Sequence, residues 1–207
     1  KENQTDKDGK LVVLYAGNKE AQHSYIEIAK DKGYQVLLLD SPIIPHLIQK
    51  LESDNSGLTF VRVDSDHIDN LIKKEETAIS KLSTEEQESL KTVVETIVPK
   101  QTYTVQLEAL DSSAAPFIIT QPEFMRRMKE MSQTGGGGMF GMGNFPEMYN
   151  LVVNTNSDLA TSILNNEDKT VQENLVKQAL DLAKLSQNLL KGEALTAFVK
   201  RSFEMIK

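Results

Sequence analysis

The spacing of hydrophobic residues changes near residue 72 and divides the chain into two parts. In the first part, three short apolar runs predict strands: residues 11–16 and 36–39, which are typical of buried strands, and residues 58–63. Two stretches with helical spacing separate these runs: residues 20–32 and 42–51. Alternating strands and helices predict a small parallel sheet with right-handed crossovers.

An acid-rich segment with a helix, residues 73–100, connects this subdomain of residues 1–72 to the rest of the chain. Ser83 and Glu86 have the spacing of a capping box, and the apolar stripe that begins at Leu90 predicts a helix ending before Pro99. The acids of residues 64–95 indicate either a solvated helix face or a metal site, and the solvated face is the favoured interpretation.

The second domain, residues 101–207, begins with alternating apolar and polar residues, which predict strands with one buried face. Residues 103–110 and 116–119 form a predicted hairpin, and a further strand covers residues 148–153. Three helices are expected to follow: residues 157–164, 170–191 and 193–206. The predicted fold is α/β followed by α+β, in which a small parallel subdomain precedes a domain with a mixed sheet and a closing helical dimerisation bundle.

The helix predicted from Thr170 has more apolar surface than one domain requires. Its apolar positions cover roughly 220° of the circumference, whereas a helix packed on its own domain needs a stripe of about 100° or somewhat more. A two-fold four-helix bundle between subunits would cover the excess. The alternative is that the strands of the second domain bury all of it. The candidate interface residues are Leu175, Ala179, Leu182, Leu185, Leu189, Leu195, Phe198, Val199, Phe203 and Ile206.

A helix predicted over residues 122–132 precedes a glycine-rich segment that contains Gly135–Gly138. Six of the seven methionines lie between Met125 and Met148, and methionine recurs on surfaces that accept many shapes. The apolar stripe of the helix lies opposite its basic residues, and it predicts either a core contact or a binding surface. The candidate binding residues are Phe124, Met125, Met128 and Met131 on the helix, and Met139, Phe140, Met142 and Phe145 after it.

Composition and charge exclude several classes of protein. The chain has no cysteine, so disulfides and cysteine zinc sites are excluded, which fits a reducing cytosol. No apolar run approaches the roughly 18 residues of a membrane span, and no signal peptide precedes the first strand. A net charge of −7 argues against a nucleic-acid partner. We therefore expect a cytoplasmic protein with neither a membrane nor a nucleic-acid partner.

No catalytic or metal-binding motif is recognisable. His23, His46 and His67 are far apart and lie outside any HExxH pattern. Gly17 follows the first strand, where a phosphate-binding loop could lie, although a single glycine is not a dinucleotide fingerprint. An alternative function is therefore an enzyme or sensor that binds a nucleotide or phosphate near Gly17, Asp40 and Ser41.

Two long segments resemble the heat shock protein 90 chaperones of the bacterial HtpG type. The end of that family's middle domain is similar to LVVLYAGNKEAQHSYIEIAKDKGYQVLLLDSPIIPHLIQKL. Its C-terminal dimerisation domain is similar to AAPFIITQPEFMRRMKEM, to YNLVVNTNSDLATSILNNED and to the two closing helices. The resemblance covers nearly the whole chain and rests on the order and spacing of elements more than on any short motif.

The resemblance implies a homodimeric, ATP-driven stress-response chaperone that binds unfolded or partly folded clients. In that family the amphipathic helix of the C-terminal domain contacts clients, and its apolar face matches Phe124, Met128 and Met131. A second contact surface, on the last helix of the family's middle domain, matches Pro45, His46 and Gln49. The family binds ATP and Mg²⁺ in an N-terminal domain that is absent here, so we expect this fragment to have no cofactor and no enzymatic activity of its own. The end of the chain lacks the acidic tail of eukaryotic cytosolic members, which indicates a bacterial or organellar member.

Overall fold

The computed structural model describes residues 2–73, 78–127 and 148–206, apart from the side chains of Glu2 and Met205. The chain forms two compact units. The first unit contains Lys1–Glu76 and Thr120–Met148, and the second contains Thr77–Ile119 and Tyr149–Lys207. The boundaries predicted from the sequence, at residues 72 and 100, stay a prediction.

The first unit contains the predicted parallel sheet. Its strands are β1 (Leu11–Ala16), β2 (Val36–Leu38) and β3 (Leu58–Arg62), its helices are α1 (His23–Asp31), α2 (Ile44–Asp54) and the short α3 (Ile68–Leu71), and a 3₁₀ turn spans Glu2–Gln4. The strand order is β2-β1-β3, and β1 pairs in parallel with both neighbours. The predicted fold class is therefore confirmed for this part of the chain.

Side chains alternate along β1 between two apolar clusters, as expected for a strand covered on both faces. Leu14 packs with Ile26 and Ala29 of α1. Tyr15 points to the other face and packs with Ile48 of α2 and Phe60 of β3. The helices α1 and α2 therefore cover opposite faces of the sheet.

The expectation that β2 is a fully buried strand is wrong. Leu37 is 48% exposed and Leu38 is 53% exposed. Because β2 lies at the edge of the sheet, β1 is its only strand neighbour among the described residues. An apolar run identifies a strand but does not show whether the strand is central or at an edge.

The second unit combines a three-stranded sheet with four helices in its described residues. The strands are β4 (Tyr103–Glu108), β5 (Phe117–Thr120, whose last residue clusters with the first unit) and β6 (Tyr149–Asn154). The helices are α4 (Thr84–Ile97), α5 (Asp158–Leu164), α6 (Lys169–Ser186) and α7 (Gly192–Met205). Leu90, Leu151, Ile163 and Val176 are fully buried in one core that joins the sheet to the helices.

The predicted hairpin of the second unit is wrong, although its strands exist. The strand order is β4-β6-β5, so β6 lies between the two strands that were expected to pair. β4 pairs with β6 in parallel, from Tyr103 opposite Tyr149 to Glu108 opposite Asn154. The amide of Asn154 reinforces this arrangement, because its Oδ1 accepts from the Leu110 backbone N–H at 3.2 Å and its Nδ2 donates to the Asp111 carbonyl at 2.9 Å.

Two titratable residues in the turns after β3 are buried although a solvated segment was expected from Asp64 onward, whereas Glu85 and Glu88 of α4 are exposed as expected. Asp64 is buried and binds the guanidinium of Arg62 through both carboxylate oxygens, at 2.5 and 2.9 Å. His67 is also buried, and burial lowers its pKa against the opposing effect of the Asp69 carboxylate. Tight turns after β3 bring these side chains inward, which the spacing of acids could not indicate.

The capping box predicted at the start of α4 is confirmed. Ser83 Oγ accepts from the Glu86 backbone N–H at 3.3 Å, and Glu86 Oε2 accepts from the Ser83 backbone N–H at 2.8 Å. These hydrogen bonds from Ser83 lower the pKa of the Glu86 carboxyl group. A lowered folded-state pKa means that the contribution of Glu86 is present above its unfolded pKa and is lost as the pH falls through the folded value.

We expect Ser83→Ala to lower the free energy of unfolding of the second unit by about 1 kcal/mol, because the first turn of α4 loses its cap. Ser89→Ala is the matched control, since Ser89 is exposed in the interior of the same helix. The control should be neutral or slightly stabilising, as alanine is the better helix former. Urea denaturation followed by circular dichroism measures both, and equal effects of the two changes would contradict the capping role.

Candidate functional site

The first described turn of the Met-rich helix, residues 123–127, packs with its basic side inward. Arg126 is only 3% exposed, whereas Phe124 is 72% exposed. Sequence periodicity predicted two opposite faces but left open which of them is buried. The structure places the aromatic residue outside and the arginines inside.

Arg126 packs on the face of the first sheet that carries Tyr15. Its Nη2 donates to the Tyr15 hydroxyl at 2.6 Å, and its guanidinium carbon lies 5.6 Å from the centre of the Tyr15 ring. Glu123 accepts hydrogen bonds from Nε and Nη2 of the same guanidinium. Burial, reinforced by the Glu123 carboxylate, raises the pKa of Tyr15 to about 12, so the hydroxyl stays protonated at neutral pH.

Arg127 joins the 123–127 turn to α2 and β3. Its Nη1 donates to Glu52 Oε2 at 2.8 Å, its Nη2 donates to the Phe60 carbonyl at 2.6 Å, and its Nε donates to Glu123 Oε1 at 2.7 Å. Glu52 Oε1 also accepts from the Phe60 backbone N–H at 2.7 Å. Burial alone lowers the pKa of Arg127, but the hydrogen bonds with Glu52 and Glu123 outweigh it and raise the pKa. We call Arg126, Arg127, Glu123, Glu52 and Tyr15 the arginine anchor.

Only some of the candidate client-binding residues fall within the described part of the chain. Phe124 is exposed, Met125 is half-buried, and His46 and Gln49 are both exposed on α2. Six lie outside the described residues: Met128, Met131, Met139, Phe140, Met142 and Phe145. The arginine anchor binds α2 through Glu52, so it fixes Phe124 relative to the helix that carries His46 and Gln49.

Sequence reasoning missed two exposed apolar residues on α2 and its N-cap. Ile43 is 65% exposed and Leu47 is 45% exposed, while Ile48 of the same helix is buried. The sequence did indicate this exposure, because the run from Ile43 to Ile48 contains more apolar residues than can be buried on one face of a helix. These two residues extend the surface on which His46 and Gln49 lie.

The loop after β1 is occupied by a side chain of its own segment. Gln22 Oε1 accepts hydrogen bonds from the backbone N–H groups of Gly17 and Asn18, at 2.8 and 2.9 Å. Asn18 Oδ1 similarly accepts from the N–H groups of Glu20 and Ala21, which explains why α1 begins later than predicted. A phosphate group would use these backbone donors, so their use by Gln22 disfavours the nucleotide or phosphate alternative.

The closing helices leave part of the predicted interface exposed. Ala179 and Phe198 are buried within the chain, and Leu175 and Leu189 pack partly against the core, so they belong to the fold of one chain. Leu195 is half-buried. The remaining five interface candidates are exposed by 42–80%: Leu182, Leu185, Val199, Phe203 and Ile206.

The described residues contain neither a metal-binding cluster nor a membrane-spanning helix. No cluster of three or more His, Asp or Glu side chains in residues 2–73, 78–127 and 148–206 could hold a metal ion. Over the same ranges, no helix has the length and apolarity needed to cross a membrane.

No protein-family model matches the chain. The chain is 36% identical over 273 residues to the chaperone protein HtpG of Bacteroides thetaiotaomicron, a match that covers all of this chain and 40% of that protein. An HtpG of Bacteroides fragilis is 34% identical to this chain, and the match again covers all of this chain and 40% of that protein. The HtpG of Porphyromonas gingivalis is 43% identical over 185 residues, which are 88% of this chain and 27% of that protein.

The chain thus spans about 40% of the length of the Bacteroides relatives that it matches from end to end. Identities of 34–43% agree with the resemblance seen in the order of strands and helices and in the Met-rich segment. The chain is therefore recognised as a segment of the HtpG chaperones, the bacterial type of the heat shock protein 90 family.

Proposed function

We propose that this chain is a client-binding and dimerising segment of an ATP-dependent chaperone. The observation that carries the proposal is the exposure of Phe124 on a helical turn whose two arginines are paired, with Arg126 buried and Arg127 half-buried. The ion pairs of the arginines hold one side of the turn against the sheet, so Phe124 on the other side is exposed to solvent. Its aromatic ring can therefore pack against apolar surface of a partner. Under this proposal the chain has no catalytic residue, and ATP and Mg²⁺ act through another domain of the longer protein.

The exposed residues of α2 support the same proposal. Ile43 and Leu47 present apolar surface, and His46 and Gln49 present polar groups beside it. A client whose fold is incomplete exposes apolar side chains together with unpaired backbone groups. A surface that offers both kinds of contact suits such a partner better than one specific ligand.

The exposed residues of α6 and α7 support a homodimer. Leu182, Val199 and Phe203 lie on consecutive helices that pack on each other through Gln178 and Arg201, whose side chains hydrogen-bond at 2.8 Å. Asp181 also pairs with Arg201 at 2.6 Å. This polar contact fixes the helix pair and leaves its apolar residues for a second copy of the chain.

We expect Phe124→Ser to weaken binding of an unfolded client at least about tenfold. Burying a phenylalanine on binding contributes about 1.5–3 kcal/mol, and 1.4 kcal/mol corresponds to a factor of ten. The measurement is fluorescence anisotropy with a reduced and alkylated, permanently unfolded protein. Ile79→Ser is the matched control, because Ile79 is 88% exposed in the second unit. Equal loss in both variants, or no loss with Phe124→Ser, would show that Phe124 is not a client contact.

We expect Arg127→Met to lower the free energy of unfolding of the first unit by about 2 kcal/mol, because Glu52 and the Phe60 carbonyl lose a charged donor. Client binding should weaken as well, although Phe124 is unchanged. Lys50→Met is the control, since it removes one positive charge from α2 and breaks only the exposed pair with Asp54, worth about 0.3–0.5 kcal/mol. If Arg127→Met is destabilised but binds clients normally, the arginine anchor stabilises the fold but is not needed for client binding.

We expect the chain to have twice its monomer mass in sedimentation equilibrium at micromolar concentration. The double change Leu182→Asp and Phe203→Asp should yield monomers, because charges cannot be buried unpaired at an apolar interface. Both residues are more than half exposed in one chain, so the variant should fold. Leu47→Asp is the control for an exposed leucine outside α6 and α7 and should stay dimeric. A wild-type monomer would contradict the proposed interface.

A further inference from the structure

A cavity of about 470 Å³ opens at the carboxyl ends of the three parallel strands of the first unit. The ends of β1 and β2 contribute Gly17 and Asp40, and Arg62 follows from β3. The loop before α1 and the first residues of α2 complete the wall. The volume falls in the range of pockets that hold small ligands or single side chains, and this edge of a parallel sheet is where such ligands bind.

The two arginines that line the cavity are neutralised by neighbouring carboxylates. Arg62 is paired with Asp64, and Arg126 is paired with Glu123. Asp40 is different, because no cation lies within ion-pair distance of its carboxylate anywhere in residues 2–73, 78–127 and 148–206. The charge that the cavity leaves unbalanced is therefore negative, and a cation is the complementary ligand.

A buried amide donor in the same cavity also lacks a partner. Gln22 is only 6% exposed, and its Nε2 makes no hydrogen bond with any described residue. The orientation of the amide is fixed, because Oε1 must face the N–H groups of Gly17 and Asn18. A buried donor without an acceptor is unfavourable, so a ligand that brings a carbonyl oxygen would be stabilised here.

The remaining wall is apolar. Leu39, Ile44 and Pro45 line the cavity, and the exposed Ile43 and Leu47 flank these residues along the chain. A ligand for this site therefore combines a cationic group, a carbonyl oxygen and apolar surface. A peptide segment with a basic side chain has all three, since the methylene groups of Lys and Arg pack on apolar walls while the charged end stays at a carboxylate.

We propose that this cavity binds a Lys or Arg side chain of an extended client segment. The cationic group pairs with Asp40, and a backbone carbonyl of the segment accepts from Gln22 Nε2. This inference rests on the proposed client binding and adds to it a preference for basic residues next to apolar ones. An anionic ligand fits less well, because Gln22 already fills the backbone donors of Gly17 and Asn18 and Asp40 repels negative charge.

The test compares two fluorescent peptides that differ only in charge: an acetylated and amidated apolar peptide with one central arginine, and the same peptide with citrulline. Citrulline keeps the shape of arginine but is neutral. We expect the 207-residue chain to bind the arginine peptide about three- to fivefold more tightly, as for one partly exposed ion pair. In Asp40→Asn this preference should disappear.

Asp31→Asn is the matched control. Asp31 is exposed in the same unit, lies outside the cavity and has no ion pair within the described ranges, so its loss changes net charge equally. The preference for arginine should persist in this variant. Equal affinities for the two peptides in the wild type, a preference that survives Asp40→Asn, or an equal loss in Asp31→Asn would each overturn the inference.

The Phe124→Ser experiment separates the two proposals. If unfolded-protein binding depends on Phe124 while the two peptides bind alike, the client surface stands and the cavity assignment fails. If the arginine preference depends on Asp40 while Phe124→Ser binds clients normally, the cavity assignment stands and the proposed role of Phe124 fails.

Discussion

The orientation of the candidate client surface depends on how the charges of the buried Arg126 and the half-buried Arg127 are neutralised. A guanidinium can be buried only where carboxylates and carbonyl groups replace its hydration. Arg126 and Arg127 find those partners in Glu123, Glu52 and the Phe60 carbonyl. Because both arginines must point to the sheet, the helical turn has one possible orientation, and that orientation turns Phe124 outward.

Part of this anchor could be read from the sequence, and part could not. Glu123 lies three and four residues before Arg126 and Arg127, a spacing that places their side chains together on one helix. Glu52 is 75 residues away from Arg127 in sequence, and no local pattern connects them. Periodicity showed that the helix has two faces, but only this long-range ion pair decides which face is buried.

The same distinction between local and long-range information explains the successes and errors in the fold. The capping box of α4 and the parallel direction of β1, β2 and β3 follow from short-range signals, and both are confirmed. The exposed leucines of β2 and the insertion of β6 between β4 and β5 depend on which strand lies beside which. Strand neighbours are set by packing across the whole unit, so runs of apolar residues could not reveal them.

The first unit carries contacts of different chemistry instead of one dominant site. Its described residues include one exposed aromatic residue, Phe124, exposed aliphatic residues such as Ile43, and a carboxylate without an ion pair in the cavity, Asp40. Each contact is weak on its own, and a partner must supply several complementary groups at once to gain affinity. Unfolded segments supply such groups in many different orders. Under the proposed client binding, a rigid anchor beneath a set of weak contacts would allow many sequences to bind, because the protein's side of the interface is ordered by folding before a client arrives.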